Sequence, residues 1–356
     1  MAEGISIAVV GTTSGGKSSF LNALCGRFIL PVGVQETTYC INELIHIPNN
    51  IIVSIKNKDI SPDETYFASD ADARTHIQML FEKIYTSFNK KGSVTKNTVH
   101  LSFLSDFLRI FTDRLPDCSP EILSRVRVFP RIDGKKIPLK IIDLPGYRYE
   151  GDDNNLDIIL NGIEDALIII FLINAEETDS VKEDRLFKEI LQYQQKKGMT
   201  WENIYFVLNR CDALFRDRND VTILHKKLKK LQERLRTGIS EIFGISSREN
   251  IVPVIQPLSA MPVMYGETLF WNFQRLTREE KEYLLSKSCL LTNQFLPDDL
   301  CDDLPRSPKK WNYEDIQHYR NGIVKQCFYT DFLSSLESHI MRVWQKSDIL
   351  QPDSIL

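Results

Sequence analysis

An α/β fold, with a mostly parallel central sheet and helices on both faces, is what this sequence predicts. Three observations carry that expectation. A glycine-rich loop, Gly11-Thr12-Thr13-Ser14-Gly15-Gly16-Lys17-Ser18, stands between a strand-like and a helix-like run. The apolar run 166–173 reads as a central parallel strand buried on both faces. A second apolar run, 204–208, ends directly in Asn209-Arg210-Cys211-Asp212.

In chain order, residues 5–10 (Ile-Ser-Ile-Ala-Val-Val) form the first strand and residues 18–27 the helix after it. The loop between them fits G-x-x-x-x-G-K-[ST] and lies where a phosphate-binding loop must lie. Small residues at Gly11, Gly15 and Gly16 let backbone N–H groups close around phosphate oxygens, and the helix N-terminus adds its positive dipole end. Lys17 is placed to reach the terminal phosphates and the Ser18 hydroxyl to ligate magnesium. Residues 137–142 form a further strand, ended by Asp143-Leu144-Pro145-Gly146. There Asp143 is expected to hold magnesium through water, and the Gly146 N–H to touch the terminal phosphate.

The base is read further along. Guanine presents two N–H donors that one carboxylate can accept, and adenine has no such pair, so Asp212 is the expected guanine reader. Asn209 is expected to brace neighbouring loops and touch the base, and the aliphatic stem of Arg210 to cover the ring face. Residues 251–255 form a strand leading to Leu258-Ser259-Ala260, where the Ala260 N–H is placed to meet the guanine carbonyl, with Ser259 beside it. Together these imply a three-layer P-loop GTPase fold that binds GTP and GDP with Mg2+. A P-loop kinase or ATPase is the reading that Asp212 argues against.

GTTSGGKSSFLNAL, LPVGVQETT, DLPG, NRCD and SAM resemble the G domain of the dynamin superfamily, over residues 11–261. The resemblance places Ser19 in the nucleotide-binding helix start. It makes Thr38, or else Thr37, the switch I threonine, whose hydroxyl completes the magnesium shell and whose carbonyl orients the attacking water. It gives Ser14 a charge-compensating role between β and γ phosphates, so that Lys17, Ser14, Thr38 and Gly146 form the implied catalytic set. One departure stands out: Thr13 occupies the position where dynamins carry a glutamine or arginine that helps hold the catalytic water. Tyr147 and Arg148 follow Gly146 in place of a Ras-like glutamine; Arg148 could offset developing charge, though a solvated loop role is the plainer one. The resemblance implies GTP hydrolysis activated by G-domain homodimerisation. The alternative is a hydrolysis-poor switch whose nucleotide state orders residues 32–38 and 147–155 for a protein partner.

Composition fits a soluble protein: 356 residues, 42% hydrophobic and 26% charged, enough for a large core. A net charge of −4 implies no general attraction to nucleic acid or anionic membrane. Seven scattered cysteines form no C-x-x-C and suit a reducing compartment. With a strand starting near Ile5, no signal peptide is expected, and the run 166–173 is too short to span a bilayer. A cytoplasmic location follows, with the nucleus left open.

A single G domain is expected over 1–348, followed by a tail over 349–356. Strands over 42–47 and 51–55 are expected to pair as a hairpin. A helical insertion is expected at about 58–128, with helices near 71–89 and 101–115, an irregular insertion at about 262–320, and a closing helix at about 322–346. The basic helix 221–243 carries the stripe Leu224, Leu228, Leu231, Leu235 and Ile239 opposite Lys226, Lys227, Lys229, Lys230, Arg234 and Arg236. Docking by its leucines, with a solvated basic side, is preferred over lying on an acidic membrane. The length leaves no room for a dynamin-type helical stalk, so a stalk-less or divergent member is expected. The Asp-rich run 298–303 lacks the glycine turn and closing glutamate of a calcium loop.

Overall fold

The computed structural model describes residues 5–26, 30, 42–46, 52–56, 119–124, 131–132, 135–136, 139–148, 153–164, 166–177, 181–215, 221–245, 251–274, 276–292 and 310–346. The strands are β1 (Ile5–Gly11), β2 (Asn42–His46), β3 (Ile52–Lys56), β4 (Ser119–Ser124), β5 (Arg131–Ile132), β6 (Lys135–Lys136), β7 (Leu139–Asp143), β8 (Ile168–Asn174), β9 (Ile204–Asn209) and β10 (Ile255–Pro257). The main sheet runs β10-β9-β8-β1-β7-β2-β4-β3, and β5 pairs with β6 apart from it. From β10 to β7 every pairing is parallel; β2 lies antiparallel to β7, and β3 antiparallel to β4.

Alternation along the central strands explains the layers. Ile5, Ile7 and Val9 of β1, Ile168, Ile170 and Leu172 of β8, and Tyr205 and Val207 of β9 enter one core. Ala8 and Val10, Ile169, Phe171 and Ile173, and Phe206 and Leu208 enter the other. Because successive side chains point to opposite faces and both faces are covered, these strands are apolar at nearly every position, with Ser6 and the terminal Asn174 and Asn209 as polar exceptions. The first core is closed by α1 (Lys17–Cys25), α5 (Ala260–Asn272), α6 (Arg278–Thr292), α7 (Tyr313–Gln326) and α8 (Tyr329–Lys346). The second is closed by α2 (Asp153–Gly162), α3 (Val181–Lys196) and α4 (Val221–Phe243). The chain is an α/β GTPase fold with helices on both faces. Among the described residues no helix is long and apolar enough to cross a membrane.

Several expectations are corrected. The strands near 42–47 and 51–55 form no hairpin: β4 lies between β2 and β3 and takes the hydrogen bonds of both. That strand falls inside the stretch expected to be helical, while the helices expected near 71–89 and 101–115 lie outside the described residues. Much of the stretch expected to be irregular from 262 is helical, as α5 and α6. The closing element is two helices, α7 and α8, parted at Cys327–Phe328, where Phe328 takes a left-handed φ of 61°. Residues 251–254 do not join the ladder, which begins at Ile255.

Helix α4 docks as its stripe implies. Leu224, Leu231, Leu235 and Ile239 are buried and Leu228 packs beside them. On its flank Lys227 Nζ donates to the Glu177 carbonyl at 3.0 Å. Arg234 reaches the buried Glu183 carboxylate at 3.2 Å and Asp184 at 3.0 Å.

Candidate nucleotide-binding site

Parallel strands deliver the site to one edge of the sheet. Val9 of β1 pairs with Asp143, the last residue of β7, and Asn174 pairs with Asn209 at the ends of β8 and β9. The loops that follow these strands therefore meet at the carboxyl edge, where open α/β sheets hold ligands.

The glycine-rich loop leaves β1 at Gly11 and turns through two left-handed residues, Ser14 (φ 65°) and Gly16 (φ 84°), into α1. No side chain caps that helix at Gly16, the arrangement that leaves first-turn N–H groups to an anion. Gly16 is required twice over: its φ disfavours any Cβ, and a Cβ there would lie 2.4 Å from Asn209 Nδ2. Lys17 is only 7% exposed and its Nζ lies 3.4 Å from the carbonyls of both Gly11 and Thr12. Burial lowers its pKa to about 8, against the opposing attraction of Asp143. Asp143 itself is wholly buried.

Asn209 joins the phosphate side to the base side. Its Nδ2 donates to the Gly15 carbonyl at 3.0 Å, and its Oδ1 accepts the Ala260 N–H at 3.1 Å. These two bonds link the phosphate loop to the start of α5. The Ala260 N–H, expected to face a guanine carbonyl, is spent on Asn209 instead. Asp212 is the second residue of a one-turn helix (Cys211–Leu214) and donates its N–H to Ser259 Oγ at 2.8 Å. Burial raises the Asp212 pKa, opposed by hydrogen bonds from its own backbone and Ser259 and by the charge of Arg210. Arg210 is left-handed (φ 65°), and its guanidinium meets Glu176 at 2.6 Å. Glu176 was not foreseen; its role depends on β8 and β9 being neighbours, which no local motif signals.

Thr13 acquires a partner that its sequence position did not suggest. Its N–H and Oγ1 both donate to the Tyr147 carbonyl, at 3.2 and 3.3 Å, and the Tyr147 N–H donates to the Gly11 carbonyl at 3.1 Å. The segment after Asp143 is thereby strapped to the phosphate loop. A Cβ on Gly146 would lie 2.9 Å from Thr13 Cα, so only glycine fits there. Arg148 is exposed. Thr37 and Thr38 lie outside the described residues, as do residues 32–38 as a whole.

Magnesium suits the donors present. A buried carboxylate (Asp143) at the end of β7 and a hydroxyl (Ser18) at the start of α1 are hard oxygen donors. Among the described residues no cluster of three or more His, Cys, Asp or Glu forms a full metal cage.

Fold and site together define a P-loop, guanine-type nucleotide-binding α/β domain. The Dynamin family model matches residues 7–211, and the chain belongs to that family. It is 24% identical over 278 residues to Dynamin-like protein A of Bacillus subtilis (strain 168), covering 69% of this chain and 22% of that protein. To Transmembrane GTPase Marf of Drosophila melanogaster it is 23% identical over 309 residues, covering 80% of this chain and 32% of that protein. The chain therefore spans less than a third of the length of either relative. Among solved structures, a chain of an oligomerised bacterial dynamin pair aligns with 96% of this chain and 44% of its own length, at 16% identity and a TM-score of 0.43. Era of Aquifex aeolicus bound to GDP.AlF4- aligns with 73% of this chain and 52% of its own length, at 13% identity and a TM-score of 0.35.

Proposed function

We propose that this chain binds GTP and GDP and hydrolyses GTP to GDP and phosphate, with turnover rising as G domains associate. One observation carries the reading: Asn209 ties the phosphate loop at Gly15 to Ala260, with Asp212 and Ser259 bonded beside it. Membership of the dynamin family, whose members are GTPases, supports it. Ser18 and Asp143 are the residues that would hold magnesium, with Thr38 expected from the sequence to complete the set. Bound there, the ion supplies positive charge to the phosphate oxygens. Lys17 orients and neutralises the same phosphates, and the loop N–H groups of residues 14–19 fix them in place. Water attacks the γ-phosphorus while the bond to the β–γ bridging oxygen breaks, releasing GDP.

A second reading, a hydrolysis-poor switch that binds partner proteins, is favoured by Thr13. Both of its donors are committed to the Tyr147 carbonyl. That straps the post-Asp143 segment in place and leaves a short side chain where the family holds its catalytic water.

Nucleotide competition tests the base assignment. With magnesium present, GDP should displace a fluorescent guanine nucleotide and ADP should not. Asp212→Asn should weaken GDP and admit xanthosine diphosphate, because an amide offers a donor to the xanthine carbonyl. Equal competition by ADP, or an unaltered base preference in Asp212→Asn, would sink the reading.

A further inference from the structure

Both backbone groups of Asp212 are anchored on residues that a distant part of the chain holds. Its N–H goes to Ser259 Oγ at 2.8 Å, and the Ser259 N–H in turn goes to the carbonyl of Cys327 at 3.2 Å. The Asp212 carbonyl accepts the N–H of Phe215 at 3.3 Å, and the Phe215 ring stacks on that of Phe328, with centroids 6.3 Å apart and planes at 28°. Cys327 and Phe328 are the junction between α7 and α8.

The junction has an uncommon shape. Phe328 holds φ at 61°, a left-handed conformation that a bulky residue rarely adopts. The turn sends neighbouring side chains to opposite layers: Cys327 and Tyr329 sit in the core with α1, whereas Phe328 packs on the core with α4. Tyr329 also donates its hydroxyl to the Ala23 carbonyl of α1 at 3.0 Å, fixing the junction to the helix that opens at the phosphate loop. A simple helix break would be served by glycine or asparagine. The phenyl ring sits at a strained position where it reaches Phe215.

We infer that the Cys327–Phe328 junction positions the guanine-reading carboxylate of Asp212, so that Phe328 is a specificity-positioning residue although it touches no nucleotide. The inference rests on the guanine-binding function proposed above. Inosine lacks the exocyclic amine of guanine and offers Asp212 one donor in place of two. The preference for GDP over inosine diphosphate therefore reports how well the carboxylate is held.

The test measures both dissociation constants on the full chain for the parent, Phe328→Gly, Phe328→Leu and Phe328→Tyr, after thermal melting confirms folding. Phe328→Gly keeps the left-handed turn and removes the ring; Phe328→Leu keeps apolar volume and removes the flat face. Either should lower the GDP over inosine diphosphate preference about tenfold, and Phe328→Tyr should restore it to within twofold of the parent. Parallel weakening of both nucleotides, or an unmoved ratio in whichever ring-less variant folds, would overturn the inference while leaving guanine binding intact. A parent that does not bind guanine nucleotides at all would overturn the proposed function and this inference together.

Discussion

Lys17 concentrates the electrostatics of the site at one atom. Its ammonium is buried against two loop carbonyls, and burial outweighs the pull of Asp143, lowering the pKa to about 8. The folded value lies below the unfolded one, so the charged form carries a folding penalty that is present below pH 8 and relieved as pH rises toward 10.5. Phosphate binding needs the charged form, and the empty site gives up that proton above pH 8. Affinity for GDP should accordingly fall about fourfold between pH 7 and pH 8.5. Lys17→Arg, whose guanidinium does not titrate there, should bind at a level that does not slope. Fluorescence titration across that window decides; a flat parent profile would show that Lys17 stays charged without ligand. Asn209 is the other organising residue, since its single amide serves the Gly15 carbonyl and the Ala260 N–H at once.

Elements hold these residues through packing that local pattern reveals only in part. Helix α5 joins α7 by a buried ion pair, in which Arg320 Nε meets Glu267 Oε1 at 2.6 Å while Trp271 Nε1 donates to Glu267 Oε2 at 2.6 Å. Glu267 is wholly buried, so Arg320→Leu strands its charge and should cost about 3 kcal/mol. The double variant Glu267→Gln/Arg320→Leu should recover at least half of that, measured by urea unfolding. A single variant within about 0.5 kcal/mol of the parent would show that the pair is solvated. The central strands and the phosphate loop were legible because strands buried on both faces are apolar nearly throughout and the loop motif stands at the end of β1. Helix α5 was not: it is buried nearly all round, so its apolar residues show no stripe, and Pro262 stands third in it. In the first helical turn a missing N–H removes no intrahelical bond. For α6 the signal was present and passed over, a capping box in which the Thr277 N–H donates to Glu280 Oε2 at 2.7 Å and the Glu280 N–H to Thr277 Oγ1 at 3.3 Å. The placement of β4 between β2 and β3, and the left-handed Phe328, left no local trace because each is set by partners far along the chain.

At the scale of the whole molecule, one edge of a parallel sheet gathers the phosphate loop, Asp143, the Asn209–Asp212 turn and Ser259–Ala260, between two helical layers. The α7–α8 junction closes over the base-reading end of that edge. Tyr147 straps the segment after Asp143 to the phosphate loop, so the same edge holds the contacts that a change of nucleotide would disturb. The central claim is that this edge is a GTP-hydrolysing centre that association of two chains improves, Thr13 notwithstanding. The measurement that tests it most directly is phosphate release from GTP per molecule, with magnesium, across a hundredfold range of protein concentration and against ATP. We expect GTP turnover to rise with concentration, ATP turnover to stay at background, and Lys17→Ala to abolish the former. Tight GTP binding with a flat, near-zero rate at every concentration would contradict the claim and leave the nucleotide-sensing switch.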